Sequence, residues 1–154
     1  MDIFQYMLLI SLLAIGFSCT ESACYEQYQT VDNPWDKNKE YFFVVDIEDP
    51  VVSYNVSVSI RNNNLYPYQN LWLFYTTTQP GGLVLRDTIE CMLADDYGKW
   101  LGSGISIYHL NIPLQTRYTF PQKGQYTFAI RQGMRDEKLK GIEQIGVRIE
   151  KNPL

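Results

Sequence analysis

The sequence has little of what most enzymes and metal proteins require. Its 154 residues include one histidine and three cysteines. The single histidine, His109, has no second histidine or cysteine close to it in sequence, as the usual spacing of metal ligands would require. The catalytic and phosphate-binding patterns GxSxG, HExxH, GxGxxG and the P-loop are all absent. We therefore predict no catalytic residues, no metal site and no cofactor.

A basic cluster is also missing. The chain has 13 Lys and Arg against 17 Asp and Glu, a net charge of -4, and the two signs are mixed along its length. Nucleic-acid binding requires a basic patch or stripe, so nucleic acid is not an expected partner. Charge attraction to an anionic lipid surface requires a polybasic cluster. Any attachment to a membrane must therefore come from hydrocarbon.

No apolar run is long enough for a membrane-spanning helix. The longest, residues 7–17, is about half of the ~20 residues that a span needs, and this length is typical of the apolar region of a signal peptide. Gly16, Phe17 and Ser18 then precede Cys19, in an arrangement that resembles the lipobox of bacterial lipoproteins. We predict a signal peptide over 1–18 and lipid attachment at Cys19. The alternative is an ordinary secretory signal cleaved near Ser18 or Ala23.

The pattern of apolar and polar residues divides the mature chain into two parts. Residues 19–38 are polar without a sustained period, which predicts a lipidated cysteine and a tether. The domain over 39–154 alternates apolar and polar residues, as strands with one wet face do. The predicted strands are 41–47, 54–61, 71–76, 88–93, 105–109, 117–120, 126–131 and 145–150. This predicts an all-β fold, a single two-sheet antiparallel β-sandwich of about eight strands, with one or two helical turns around 135–140.

The remaining polar and sulfur groups have structural interpretations. Cys91 lies on the core phase of its strand, where a free thiol acts as a small hydrophobic group. A disulfide with Cys24 would have to pull the tether onto a buried strand, so we favour two free thiols. His109 lies on the apolar phase of its strand, which predicts a partly buried, hydrogen-bonded side chain. Asp95 and Asp96 lack the ligand series of a calcium loop and indicate a turn.

Aromatic residues supply the candidate contact surface. The loop over 98–104 carries Trp100 among polar and glycine residues, and loops often carry contact residues. We predict that Trp100, Tyr66 and Tyr68 form a patch that contacts a partner, whereas the alternative is that Trp100 closes the end of the sandwich. Together with Trp72 and Phe74, these rings also offer a stacking surface for sugars, although core packing is the commoner use of such residues.

One short motif suggests a modification. Asp87, Thr88 and Ile89 match the Asp-Thr-aliphatic pattern of O-glycosylation in Bacteroidota, which makes Thr88 a candidate attachment site. The entry of a strand explains the same three residues without any modification, and we favour that interpretation. Thr88 stays a secondary candidate.

Several longer motifs follow one another through the chain: YEQY at 25–28, WD at 35–36, YPYQNLWL at 66–73, DTIE at 87–90, GKWLGSG at 98–104, RQGMR at 131–135 and LKGI at 139–142. In this order they resemble the gliding-motility-associated lipoprotein GldH family of Bacteroidota. The resemblance implies a cell-envelope lipoprotein that is required for gliding in motile members, and it implies no catalytic residues. The family also occurs in species that do not glide, which implies a basic role in envelope assembly or secretion.

The leading hypothesis is therefore a non-enzymatic lipoprotein of the gliding-motility or envelope assembly machinery. It would be anchored to a membrane by its lipid and would act by protein–protein contacts with other envelope proteins. The alternative is a glycan-binding envelope lipoprotein that uses its exposed aromatics. Glu21 is the one acidic residue just after Cys19, and surface display in Bacteroidota lipoproteins tends to follow acids there, so we expect the domain to face the periplasm.

The anchor gives the first testable prediction. We expect Cys19→Ala to move the protein from the membrane fraction to the soluble fraction, because two acyl chains on Cys19 would be its stable attachment. Fractionation and incorporation of labelled palmitate measure this directly. If the variant stays in the membrane, an uncleaved apolar segment or Cys24 holds it there, and the assignment to Cys19 is wrong.

Overall fold

A computed structural model describes residues 23–152 of the chain. These residues form ten strands and no helix, so the described part contains no helix that could span a membrane. The strands are β1 (Tyr25–Thr30), β2 (Trp35–Asp36), β3 (Tyr41–Ile47), β4 (Ser53–Asn63), β5 (Asn70–Thr78), β6 (Val84–Met92), β7 (Ile107–Thr119), β8 (Gly124–Gln132), β9 (Lys138–Leu139) and β10 (Ile142–Lys151).

The strands form two large antiparallel sheets and a small ribbon. The first sheet has the order β1-β10-β4-β7, the second has the order β3-β8-β5-β6, and β2 pairs with β9. The prediction of an all-β, two-sheet antiparallel sandwich is confirmed. The two runs expected at 105–109 and 117–120 belong to one long strand, β7, which bends through two register shifts against β4. The eighth large strand is instead β1.

The core lies between the two sheets and contains the side chains that alternate inward along each strand. In β3 the inward residues Tyr41, Phe43, Val45 and Ile47 are all buried. The inward residues of β4, β8 and β10 are buried in the same way. Burial of one face of each sheet is the main source of stability for such a fold, at about 25 cal/mol per Å² of apolar surface.

The tether prediction is wrong for residues 25–36. Strand β1 pairs with β10 from Tyr25 opposite Ile149 to Thr30 opposite Gln144, and Trp35 is fully buried in the core. The folded domain therefore begins near Tyr25, well before the predicted boundary at residue 39. Strand β1 lies at the edge of the first sheet, and side chains on both of its faces are at least partly exposed. Its sequence therefore shows no alternation of apolar and polar residues.

A side-chain network across the outer face of the first sheet holds β1 in place. The Tyr28 ring passes over Gly146 of β10 and reaches β7, where its hydroxyl lies 3.1 Å from His109 Nε2. The Arg61 guanidinium lies over the same ring, 4.2 Å from its centroid. His109 therefore lies on the outer face, opposite to the predicted apolar phase, although its hydrogen bonding and partial burial are as expected.

The helical turns predicted around 135–140 are wrong. This segment is extended, and Lys138 and Leu139 form β9 opposite Asp36 and Trp35. Leu139 is buried in the core beside Trp35. Tertiary pairing with β2 therefore overrides the weak helical preference of a short polar run.

Both described cysteines are free thiols. Cys91 is buried, and burial raises its pKa to about 12. Cys24 is exposed, and its thiol donates a hydrogen bond to the Ile149 carbonyl at 3.2 Å. Partial desolvation also raises the pKa of Cys24. Cys19 lies outside the described residues, and so does the predicted signal peptide.

The crossing of Tyr28 over Gly146 gives a prediction about stability. A Cβ at position 146 would lie 2.7 Å from the Gln27 carbonyl oxygen and 2.8 Å from the Tyr28 ring. We expect Gly146→Val to lower the free energy of unfolding by about 1–3 kcal/mol through overpacking and to speed hydrogen exchange of the β1 amides. The control Ser57→Ala, on the same face, adds no atoms. Unchanged exchange in β1 would show that Gly146 is not required for its docking.

Candidate functional site: an aromatic cleft on the second sheet

The structure brings the three residues of the predicted patch together at one end of the sandwich. The centroid of the Tyr66 ring lies 5.9 Å from that of Tyr68 and 6.3 Å from that of Trp100. Trp100 also packs against Tyr108, with 5.8 Å between ring centroids. The three predicted residues are therefore neighbours, with Tyr66 in the middle.

Their exposure differs from the prediction. Tyr66 is only 3% exposed, so it belongs to the core and offers a partner no surface. Its hydroxyl donates to the Asn70 carbonyl at 2.6 Å, and burial raises its pKa. Trp100 is half-buried against the core and donates its indole N–H to Asn64 Oδ1 at 2.9 Å. Of the predicted trio, Tyr68 is the exposed member, at 37%.

Tyr68 opens onto a cleft on the outer face of the second sheet, which we call the aromatic cleft. Its volume is about 450 Å³, and strands β5 and β6 form its floor while the chain after β8 forms a wall. The lining residues are Tyr68, Asn70, Trp72, Phe74, Thr88, Gly133, Met134 and Arg135.

The floor of the cleft is apolar because β5 directs aromatic side chains outward as well as inward. Leu71, Leu73 and Tyr75 point into the core, whereas Trp72 and Phe74 alternate with them on the outer face. Trp72 remains 39% exposed.

A glycine allows the wall to approach this floor. A Cβ on Gly133 would lie 3.0 Å from the Phe74 ring, tighter than ordinary van der Waals contact. The Gly133 N–H donates to the Trp72 carbonyl at 2.7 Å, and the Trp72 N–H points to Met134 Sδ at 3.3 Å. The Arg131 guanidinium covers Phe74 at 4.7 Å from the ring centroid. Phe74 is therefore enclosed, and Trp72 carries most of the open ring surface.

A buried amide fixes the position of the wall. Gln132 is fully buried, and its side chain accepts a hydrogen bond from the Met134 N–H at 2.8 Å. The same side chain donates to the Asp136 carbonyl at 2.8 Å. Losing such a partner leaves buried backbone groups unpaired, at a cost of about 1–3 kcal/mol. In the sequence this segment belongs to the RQGMR motif at 131–135. No local pattern there indicated that it forms the wall of a cleft.

Two polar groups at the rim, Tyr68 and Asn70, are paired with carboxylates. The Tyr68 hydroxyl donates to Asp136 Oδ2 at 2.7 Å, and this hydrogen bond raises the pKa of Tyr68. The Asn70 amide donates to Glu90 Oε1 at 2.5 Å. The rest of the lining includes the exposed ring of Trp72, the Met134 thioether, the Thr88 hydroxyl and the exposed Arg135 side chain. Aromatic, methionine and arginine side chains are those that protein interfaces favour.

Thr88 lies on β6 at the edge of the aromatic cleft, and its side chain is exposed. The Asp87 carboxylate accepts a hydrogen bond from the backbone N–H of Thr88 at 2.7 Å. Glycosylation of this hydroxyl remains a prediction.

Within residues 23–152, no group of three or more His, Cys, Asp or Glu side chains is positioned to hold a metal ion.

The position of Trp100 gives a prediction that separates its two interpretations. Because it is half-buried, we expect Trp100→Ala to lower the free energy of unfolding by about 2–3 kcal/mol, below the ~3–5 kcal/mol of a fully buried ring. Trp100→Phe, which keeps an aromatic ring but loses the hydrogen bond to Asn64 and part of the ring packing, should cost about 1–2 kcal/mol. Denaturant unfolding measures both. A loss under ~1 kcal/mol for Trp100→Ala would identify a free surface residue.

Comparison with solved structures finds distant matches to viral proteins. A structure of infectious bursal disease virus, Gx strain, matches with 15% identity and a TM-score of 0.32, over 90% of this chain and 36% of the viral chain. The VP2 subviral particle of the same virus matches with 15% identity and a TM-score of 0.30, over 89% of this chain and 37% of the viral chain. This chain thus spans about a third of the viral proteins.

Comparison with known families and proteins gives a clear result. A family model described as GldH lipoprotein matches residues 23–149. A gliding motility lipoprotein GldH homolog of Christiangramia forsetii is 31% identical over 97% of this chain and 96% of its own length. The gliding motility lipoprotein GldH of Flavobacterium johnsoniae is 32% identical over 87% of this chain and 88% of its own length. The resemblance predicted from the motifs is confirmed, and the chain belongs to the GldH lipoprotein family.

Proposed function

We propose that this chain is a lipid-anchored envelope protein of the gliding-motility or envelope assembly machinery, and that it binds another envelope protein through the aromatic cleft. Its relatives in Flavobacterium johnsoniae and Christiangramia forsetii carry the name of gliding motility lipoproteins. The cysteine that follows its apolar segment, Cys19, supplies the lipid attachment. The protein acts by contact and performs no catalysis.

The observation that carries this proposal is the convergence of distant segments on one apolar surface. The cleft is built from residues 68–74, Thr88 and residues 133–135, which come from three of the motifs that resemble the family. Exposed Trp, Tyr, Met and Arg side chains around a concave centre are the residue types that protein interfaces favour. A partner side chain placed on Trp72 would bury ring surface that water now covers.

The paired rim favours a protein ligand over a glycan. A sugar needs free donors and acceptors around the stacking ring, whereas Tyr68 and Asn70 are engaged by Asp136 and Glu90. Glycan binding is the second candidate, because the open ring of Trp72 is of the kind on which sugars stack. Its polar contacts would come from the Arg135 side chain and the Thr88 hydroxyl, or from the rim pairs if they exchange partners on binding.

The cleft is also well placed for a partner away from the membrane. Cys24 lies beside Ile47, at the end of the sandwich where β8 begins, and it is hydrogen-bonded to the first sheet. The cleft lies beyond the other end of β8, about 30 Å away at 3.3 Å per residue, on the outer face of the second sheet. The five residues from Cys19 to Cys24 reach at most about 18 Å. The domain therefore stays near the membrane. With its first sheet turned toward the membrane, the aromatic cleft on the outer face of the second sheet faces away from it, on the periplasmic side.

The cleft gives a prediction about partner binding. We expect Trp72→Lys to abolish cross-linking from a photoreactive amino acid at Arg135 to a partner in the native envelope. A lysine keeps an aliphatic stem and can pair with Glu90, which lies opposite position 72 on β6, so the melting temperature should change by only a few degrees. Complementation of a deletion strain should fail in parallel.

The matched control is Phe42→Lys, which places the same charge at an exposed aromatic on the same outer face but on β3. It should leave both cross-linking and complementation intact. Equal loss in the two variants would assign the effect to the general charge of this face. Binding of the purified protein to a glycan array, with loss in Trp72→Lys, would favour the glycan-binding function.

A further inference from the structure

The free edges of the two sheets are not protected equally. A long, regular edge strand can pair with another chain, so most proteins cover or distort such edges. At one side of the sandwich, Gln29 of β1 donates to the Phe42 carbonyl of β3 at 2.5 Å, and the Tyr41 hydroxyl accepts from the Asp32 N–H at 2.8 Å. These hydrogen bonds tie β1 and the chain that follows it to β3, and they engage one carbonyl of the β3 edge.

At the other side lie β7 and β6. Strand β7 carries Pro113 and two register shifts against β4, and Arg117 has a φ of 52°. Each of these features interrupts an edge. Strand β6 has none of them: its nine residues pair with β5 without a register shift and contain no proline. Among the described strands, β6 presents the longest edge without a register shift or a proline.

The hydrogen-bonding pattern shows which residues of β6 are available. The Leu93 N–H donates to the Gln69 carbonyl, and the Gln79 N–H donates to the Leu83 carbonyl. Because hydrogen-bonded pairs alternate along an antiparallel ladder, the odd-numbered residues of β6 bond to β5. The even-numbered residues direct their N–H and C=O groups outward. They are Val84, Arg86, Thr88, Glu90 and Met92.

We propose that two copies of this chain pair antiparallel through β6, around a two-fold axis at Thr88. Thr88 is the central residue of β6, so this register overlaps the whole strand. It joins all five outward-facing residues in hydrogen-bonded pairs and extends the second sheet to eight strands across the dimer. The contact is isologous, as in most homodimers.

The side chains of β6 complement themselves in this register. Arg86 lies opposite Glu90 of the second copy, and the same pair repeats across the axis. Val84 lies opposite Met92, and both are exposed in the single chain. Arg86 has no ion pair among the residues that the structure describes. Opposite charges on facing strands stabilise pairing, whereas like charges oppose it.

Other antiparallel registers lack this complementarity. Shifting the axis to position 87 places Arg86 opposite Thr88 and Val84 opposite Glu90. Shifting it to position 89 places Arg86 opposite Met92 and Thr88 opposite Glu90. Both registers lose the two Arg–Glu pairs and leave one end of each strand unpaired. The charge pattern therefore selects a second copy of β6 in one register.

The symmetry suits a protein anchored to a membrane. The two-fold axis of an antiparallel pair within one sheet is perpendicular to that sheet. Both copies therefore carry their first sheet, and with it Cys24 at the start of β1, on the same side of the dimer. Both anchors can reach one membrane, and both aromatic clefts lie on the opposite side.

One local contact has to open for the dimer to form. The Thr88 N–H, which the second copy would bind, donates to the Asp87 carboxylate at 2.7 Å. A glycan on Thr88 would stand at the axis beside its symmetry mate, so modification at this residue and pairing exclude each other.

Charge reversal tests the proposal with the full-length lipidated protein in detergent. We expect sedimentation to show a dimer. Arg86→Glu and Glu90→Arg should each raise the dissociation constant at least about tenfold, because each places two pairs of like charges face to face. The double variant Arg86→Glu/Glu90→Arg restores opposite charges and should return the constant to near the wild-type value. Lys123→Glu, an exposed reversal in a turn, should have no effect.

A cross-link tests the register in cells. In a Cys24→Ser background, Thr88→Cys should be joined to a second copy by a short thiol-specific cross-linker, since facing Cα atoms in such a pair are ~5.5 Å apart. A monomeric wild-type protein at ~100 µM, or a double variant no tighter than the single ones, would overturn the proposal. Because Arg86 lies outside the lining of the aromatic cleft, the Arg86→Glu result distinguishes failure of dimerisation from failure of partner binding at Trp72.

Discussion

The structure depends on the burial of one face of each sheet against the other. Every large strand contributes inward side chains to the shared core, and the outer faces are defined by what remains. Because side chains alternate along a strand, fixing Leu71 and Leu73 in the core also fixes Trp72 and Phe74 on the outside. The floor of the aromatic cleft is therefore a consequence of how β5 enters the core.

Two glycines, Gly146 and Gly133, let neighbouring side chains pack closely on the outer faces of the two sheets. Gly146 lets the Tyr28 ring cross β10 and connect β1 to β7, and Gly133 lets the wall of the cleft lie against Phe74. Gln132, buried beside that wall, satisfies the backbone groups of the turn that follows it. The outer faces of both sheets are thus shaped by the close approach that these small and amide-bearing residues allow.

The two outer faces differ in character. The first sheet presents a polar network of Tyr28, His109, Arg61 and their neighbours, on the side that carries the start of β1 near the lipid anchor. The second sheet presents the aromatic cleft and the open edge of β6. The polar network and the aromatic cleft therefore lie on opposite faces of the sandwich.

The sequence by itself determined the all-β class, the inward phase of most strands, the free thiol of Cys91 and the family, because alternation and motif order are local properties of the chain. Tertiary structure decided where those local rules fail. The edge strand β1 has no alternation and was predicted as tether, and Tyr66 lies in the core although its loop is polar. Pairing with β2 made residues 138–139 extended. The aromatic cleft joins residues 68–74, 88 and 133–135, whose contact depends on which strands become neighbours, and a single sequence does not encode that choice in any local pattern.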